Sequence, residues 1–291
     1  MLVLKFGGTS VGSAASLSQL VSIVRDRDHA GKTAVVVVSA LSGITDSLIA
    51  AAENPGGGSP DGDLSAMKSR HRELAAAFLT GNDLDGAVSE IDGAFAELSR
   101  ILDGVAALGE LSKRTLDRIM SFGEGLSAPL IARILRSSGV PAEYLDSRKL
   151  IVTSDSHGGA HVNEEESYRR IAAAVTGRSD TVFVAPGFIG QAEDGSVTTL
   201  GRGGSDLSAA IYGAALDAEG VEIWTDVDGI LTADPRLVKN AFRIDSLSYE
   251  EAMELSHFGA RVLHPPTVRP ALEKNIPLMI RNTFNPSSPG T

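Results

Sequence analysis

Short β-branched runs alternate along the chain with longer stretches of helical periodicity, the pattern of an α/β fold built on a mostly parallel sheet. "LVLKF" (Leu2–Phe6) reads as the first strand, followed by a glycine-rich turn and an amphipathic helix over 14–26. "TAVVVVSA" (33–40) is continuously apolar, as expected of a strand covered on both faces. "SGITDSLIAAAE" turns out of it into a further helix. The stretch 54–63, "NPGGGSPDGD", has the composition of a flexible loop. From 64 to 139 the chain is rich in Ala, Leu, Glu and Arg and predicts several successive helices. Strand-like segments resume at "AEYLDS", "KLIVTS" and "TVFVAPGF". "VTTLGRGGSDLSAAIYGAAL" reads as a short strand, a glycine loop and a helix. "VEIWTDVDGILTADP" is a strand entering an acidic loop, "SYEEAMELSHFGARVLH" is helical, and "IPLMIRN" is the last strand. No internal repeat and no interdomain linker stands out.

Composition changes this picture little. At 291 residues and 43% hydrophobic content, the chain can bury a sizeable core as one large α/β domain or two smaller ones. A formal net charge of −11 argues against nucleic acid and anionic membrane as partners. The chain has no cysteine, which excludes disulfides, thiolate metal sites and cysteine nucleophiles. The N-terminal residues show no secretory pattern and no apolar run approaches a membrane span, so a soluble, cytoplasmic protein is expected.

The informative residues sit at three strand-to-loop junctions, "KFGGTSVGS", "SALSGITD" and "TTLGRGGSD". Ligands of open α/β sheets bind outside the carboxyl ends of the strands, so three small-residue loops there suggest one shared crevice. Glycines let backbone N–H groups approach phosphate oxygens, and a helix N-terminus adds a favourable dipole. The familiar phosphate motifs nevertheless fail. Gly7 and Gly12 have the glycine spacing of a Walker A loop, but Ser13 stands where lysine is required. No G-x-G-x-x-G fingerprint occurs at either loop, protein-kinase signatures are absent, and the glycine of "DVDGILTAD" falls too early for a calcium loop. Two roles then fit Lys5. Its ammonium can face phosphates held by the Gly7–Gly8 backbone, a geometry suited to phosphoryl transfer. Alternatively it is a strand-edge lysine reaching solvent, and the glycines serve a tight turn. Arg202 suits a carboxylate ligand. Asp206 either orients Lys5 or holds an ammonium group, or is simply the first-turn aspartate of a capped helix.

Taken together, "KFGGTSV", "SALSGITD", "SFGEGLSA", "PGFIG", "TTLGRGGSD", "WTDVDGI", "TADPR" and "GARVLHPPT" resemble aspartate kinase, a branch of the amino-acid kinase family, from residue 3 to residue 283. The resemblance implies a three-layer αβα sandwich around a central, mainly parallel, eight-stranded sheet. It implies one catalytic domain over 1–291, with an aspartate-binding lobe (1–200) and a nucleotide-binding lobe (201–291). It also implies ATP-dependent phosphorylation of the side-chain carboxylate of L-aspartate, with Mg2+ held mainly by the nucleotide phosphates and no protein metal ligands. By position, Lys5 and Asp206 match the catalytic pair. Ser39, Thr45, Glu124, Phe188, Thr199 and Arg202 match the aspartate pocket, with Glu124 on the ammonium group and Arg202 on the α-carboxylate. Gly7, Gly8, Thr9, Ser10, Thr225, Asp226, Arg236 and Arg261 match the nucleotide site. A homo-oligomer is expected by the same resemblance.

Two departures bear on nucleotide affinity: Arg261 stands where many members carry lysine, and Leu231 where several carry an aromatic. The chain stops at "NPSSPGT", about where regulatory ACT domains begin in the family, and none is expected within these residues. Other members acting on glutamate, acetylglutamate, carbamate or a nucleotide, a non-catalytic aspartate- or ATP-sensing subunit, and a nicotinamide-dependent dehydrogenase are the competing readings. The strand ending at Ser39–Ala40 offers no carboxylate for a ribose, and this with the failed fingerprint disfavours the last. His157 and His161 have metal-pair spacing, but the glycines between them read as loop rather than helix; His257 and His264 read as packing or helix-end residues, and Trp224 as core.

Overall fold

The computed structural model describes residues 1–31, 33–55, 63–178, 180–233, 237–257 and 267–291. Strand β1 (Leu2–Phe6) runs into a single helical turn, α1 (Gly8–Val11), and then α2 (Ala14–His29). β2 (Thr33–Val38) leads to α3 (Ile44–Glu53), and four helices follow: α4 (Leu64–Phe78), α5 (Gly81–Leu108), α6 (Lys113–Met120) and α7 (Phe122–Ser137). β3 (Ala142–Tyr144), a 3-10 turn (Ser147–Lys149), β4 (Val152–Thr153) and α8 (Glu164–Val175) come next. Then follow β5 (Val182–Pro186), β6 (Ile189–Ala192), β7 (Val197–Thr199), α9 (Gly204–Ala215) and β8 (Gly220–Thr225). α10 (Tyr249–His257), α11 (Arg269–Glu273) and β9 (Leu278–Asn282) complete the order.

The central sheet has six strands in the order β3-β5-β2-β1-β8-β9, and every pairing is parallel. The eight strands implied by resemblance are therefore six among the described residues. Two strand-like segments, within "KLIVTS" and "VTT", pair instead with β6 to form a separate sheet in the order β4-β6-β7. Helices cover both faces of the central sheet, giving the expected three layers. Side chains alternate across a strand. Leu4, Phe6, Val36, Val38 and Trp224 therefore enter one core with α2, α3, α5 and α7, while Val3, Val35, Val37 and Ile223 enter a second core with α8, α9 and α11. Trp224 is core, as its strand context predicts, and stacks on Phe6 with ring centroids 6.0 Å apart.

That alternation fixes the position of the one lysine in β1. Lys5 follows the parity of Val3 and lies in register with Val37 and Ile223, so it projects toward the α9 side. It is also the last residue of that parity before the strand ends, which brings its stem out of the core at the N-terminus of α9. Among the described residues, no helix is long and apolar enough to cross a membrane.

Candidate active site

The carboxyl ends of β1, β2, β5 and β8 open onto one crevice of about 710 Å3. Lys5, Gly7, Gly8 and Thr9 line it from β1 and the turn beyond, and Ser39 and Thr45 from the β2–α3 connection. Glu124 enters from α7, Phe188 and Thr199 from the β5 and β7 ends, Arg202 and Asp206 from the α9 entrance, and Thr225 and Asp226 from β8. The N-termini of α3 and α9 both face this space, so backbone N–H groups and helix dipoles favour an anion there.

At its centre, Lys5 Nζ lies 2.7 Å from Asp206 Oδ1, with both side chains largely withdrawn from solvent. The ammonium runs alongside the next turn, where a Cβ on Gly7 would be in ordinary contact with it, 3.6 Å from Nζ. The Gly7 N–H donates to the Trp224 carbonyl at 3.1 Å, which ties the turn to the end of β8. Lys5 is thus not a strand-edge lysine reaching solvent. It is a held cation beside bare backbone.

Glu124 sits in the first turn of α7 and is 3% exposed. Burial pushes its carboxyl from an ordinary 4.5 up to about 7, against the opposing pull of the Ala40 N–H, its own N–H and the Lys5 cation. Its Oε2 has no hydrogen-bond partner among the described residues. A buried carboxylate oxygen left unsatisfied on the wall of a crevice is prepared for a cationic ligand. The preceding glycine explains how α7 delivers it: a Cβ on Gly123 would lie 2.7 Å from Ala40 Cβ, so no larger residue lets α7 seat against the β2 loop. Ser127, one turn on, donates to the Ser39 carbonyl at 2.8 Å and locks the same contact.

Phe188 adopts a left-handed backbone, φ 68°, which is strained for a bulky residue. Bonds on both sides hold it there: its N–H donates to Ser208 Oγ at 3.0 Å and its carbonyl accepts from the Leu200 N–H at 2.8 Å. Its ring presses on the start of α9, where a Cβ on Gly204 would lie 2.8 Å from Phe188 Cδ2. Arg202, in the loop between β7 and α9, is exposed and makes no ion pair among the described residues. The Thr199 hydroxyl is already committed, donating to Asp117 Oδ1 at 2.6 Å. It therefore shapes the wall rather than offering a free donor.

Ser10 goes elsewhere. It is fully buried, its hydroxyl donates to the Trp224 carbonyl at 3.2 Å and shares a 2.7 Å hydrogen bond with Thr283, and it does not line the crevice. Arg236 and Arg261 lie outside the described residues, as does His264. Leu231 forms an isolated bridge with Arg243, and His257 ends α10. His157, read as part of a loop, is tied by Nδ1 to Asp117 Oδ2 at 2.8 Å. Among the described residues, no group of three or more acidic or histidine side chains gathers to hold a metal ion.

Two residues of this region carry no motif. Arg70 of α4 donates to the Ser42 carbonyl at 2.6 Å and the Gly12 carbonyl at 2.9 Å, clamping the turns after β1 and β2 to each other. Asp117 of α6 is the other. In the sequence each is one polar residue on an amphipathic helix, and only the spatial meeting of distant loops distinguishes them.

The arrangement can hold a phosphate chain against the glycine turn and Lys5, an ammonium group against Glu124, and a carboxylate against Arg202. Comparison with known proteins agrees with that capacity. Residues 1–282 match the model of the amino acid kinase family. The chain is 38% identical over 294 residues to the chloroplastic bifunctional aspartokinase/homoserine dehydrogenase 2 of Arabidopsis thaliana, covering 99% of this chain and 31% of that protein. It is 36% identical to chloroplastic aspartokinase 1 of the same plant, covering 99% of this chain and 51% of that protein. In three dimensions it resembles E. coli aspartokinase III in complex with aspartate and ADP, with a TM-score of 0.89 at 35% identity, covering all of this chain and 64% of that one. The chain thus spans about a third to a half of the length of these curated relatives.

Proposed function

The chain belongs to the amino acid kinase family, and from that premise we propose that it transfers the γ-phosphoryl group of ATP to the side-chain carboxylate of L-aspartate, giving 4-phospho-L-aspartate. One observation carries the reading. A single crevice holds both the Lys5–Asp206 pair beside a glycine turn and a buried, unsatisfied Glu124 oxygen. A phosphate site alone would fit many kinases; the buried carboxylate adds a demand for an ammonium group within the same space. The complex of E. coli aspartokinase III with aspartate and ADP supports the choice among amino acids.

In the proposed reaction, a carboxylate oxygen of aspartate attacks the γ-phosphorus. The bond from that phosphorus to the β–γ bridging oxygen breaks, and ADP leaves with the electron pair. No proton has to move, because an aspartate side chain is ionised at neutral pH. Catalysis therefore rests on position and on neutralising charge. Lys5 sets its ammonium against the oxygens of the moving phosphoryl group, and Asp206 holds that ammonium in place. Glu124 takes the substrate's ammonium, and Arg202 clamps its α-carboxylate in a bidentate pair. Ser39, Thr45, Phe188 and Thr199 close the walls of that end. Gly7, Gly8, Thr9, Thr225 and Asp226, with Arg236 and Arg261, take the nucleotide, which brings Mg2+ bound to its own phosphates. Ser10 acts from beneath the turn by fixing it to β8. A homo-oligomer and a cytoplasmic address belong to the same proposal.

Coupled ADP release with ATP, Mg2+ and a panel of L-aspartate, L-glutamate and N-acetylglutamate tests this reading. Aspartate-dependent turnover, with the acyl phosphate trapped by hydroxylamine, is the expected result. Turnover with another acceptor points to a different member of the family, and background turnover with all three points to a sensing subunit. Within the reading, Arg202→Ala raises the KM for aspartate roughly 10- to 100-fold, the worth of a charged hydrogen-bonded pair, with a smaller effect on kcat. An unchanged aspartate KM in steady-state kinetics would refute the clamp.

A further inference from the structure

Asp117 lies in α6 and is completely buried, yet it is a carboxylate. It accepts hydrogen bonds from three residues: Thr199 Oγ1 at 2.6 Å, the Gly158 N–H at 3.2 and 3.1 Å to its two oxygens, and His157 Nδ1 at 2.8 Å. Gly158 and Thr199 both line the crevice. They come from separate pieces of chain, the loop at 154–161 and the end of β7, which are further joined by the Ala160 N–H donating to the Thr199 carbonyl at 2.9 Å. The loop also runs alongside the residue before Arg202: a Cβ built on Gly201 would come to ordinary contact distance of it, 3.4 Å from Gly159 Cα and 3.6 Å from the Gly158 carbonyl.

We propose that Asp117 is a positioning residue for the amino-acid end of the crevice: it anchors the Gly158–Gly159 loop against Gly201 and so sets where Arg202 stands. The inference rests on the reading that this end takes the amino-acid substrate. Its physical basis is the cost of what it replaces. Consecutive glycines lose more conformational freedom on ordering than any other residues, so this loop does not hold one shape unaided. A buried carboxylate that collects donors from His157, Gly158 and Thr199 supplies that shape, and its own burial is compensated only while those donors stay in place. A general stabilising role would be served equally by an apolar side chain. The identity of the donors, two of them on the crevice wall, is what assigns the function.

The test is Asp117→Asn, which keeps the size but removes an acceptor and the charge. Titration calorimetry is run separately with L-aspartate and with Mg-ATP, and amide hydrogen exchange is followed across 157–160 and 201–203. Losing a charged hydrogen bond predicts that the aspartate Kd rises roughly tenfold or more, while the nucleotide Kd moves by less than about twofold. Exchange in the two segments accelerates with the thermal midpoint of the chain little changed. Equal weakening of both ligands, or unaltered exchange in the two segments, overturns the inference. If Asp117→Asn does not fold, His157→Ala and His157→Asn replace it. The asparagine amide restores a donor near Nδ1, so it recovers aspartate affinity and exchange protection relative to alanine; no difference between the two overturns the assignment. A wild-type chain without aspartate-dependent ADP release defeats the kinase reading alone, because the exchange measurement still decides whether Asp117 holds the loop.

Discussion

Replacing Lys5 with alanine lowers kcat roughly 100-fold or more, the loss expected when one preorganised charge contact to a transition state is removed. The expectation follows from where the ammonium is held. It stands 2.7 Å from Asp206 and over the Gly7 backbone, at the mouth of β1, already stripped of most of its water. Such a cation needs little rearrangement when charge builds on a phosphoryl group, which is why its contribution falls on kcat more than on ground-state binding. Lys5→Arg is not expected to rescue the activity. A planar guanidinium differs from an ammonium in reach and shape, so its charge would not occupy the position 2.7 Å from Asp206 that Lys5 Nζ holds. Single-turnover phosphoryl transfer, with circular dichroism to show that the fold persists, makes the measurement. A Lys5→Ala chain that retains wild-type kcat would remove the central element of the proposed function.

The sequence made this part of the site legible because its signals are local. A lysine in a five-residue strand, followed at once by two glycines, points to an anion at the strand's end but equally allows a lysine reaching solvent; the register of β1 between β2 and β8 decides the face. Glu124 is reached only through the likeness of "SFGE" to the family pattern; the close approach of Gly123 to Ala40 that seats it shows only in the folded chain. The unread features are those whose cause lies far along the chain. Asp117 meets partners 40 to 82 residues away, and nothing in "TLDRI" separates it from a solvated helix residue. Ser10 follows the glycine turn in sequence, but the turn rotates it inward onto Trp224 and Thr283, 214 and 273 residues on. β6 was also hidden. "IGQA" lacks a β-branched run, and Gly190 is required because a Cβ there would lie 2.8 Å from the Ile151 carbonyl. Without β6, the segments around β4 and β7 have no partner of their own and read only as strands, with nothing to say which sheet they join.

Glu124→Gln should abolish a pH dependence that the wild-type chain displays near neutrality. In the free protein, burial holds the Glu124 carboxyl at about 7 against an ordinary 4.5, so below about pH 7 the group is largely protonated. A substrate ammonium needs the ionised form. Aspartate affinity therefore weakens as pH falls below about 7, approaching tenfold per pH unit, and binding in that range releases a proton. The sign for folding is the opposite. A carboxyl whose folded value is raised binds protons more tightly in the native state, so its effect on stability is absent below about 4.5. It grows as an increasing penalty between 4.5 and about 7, and is complete above that. The penalty is on the order of 3 kcal/mol for a shift of this size. Glutamine carries no such term, so Glu124→Gln is expected to melt higher than wild type at pH 8 without ligand. Its aspartate KM should rise roughly 100-fold at that pH, as loss of a buried charge pair requires, and should stay flat between pH 6 and 8. Calorimetric melts and aspartate KM measured across that range check both halves. A Glu124→Gln chain that melts lower than wild type at pH 8, or that keeps the wild-type pH profile for aspartate, would show that the buried carboxylate serves the fold and not the substrate.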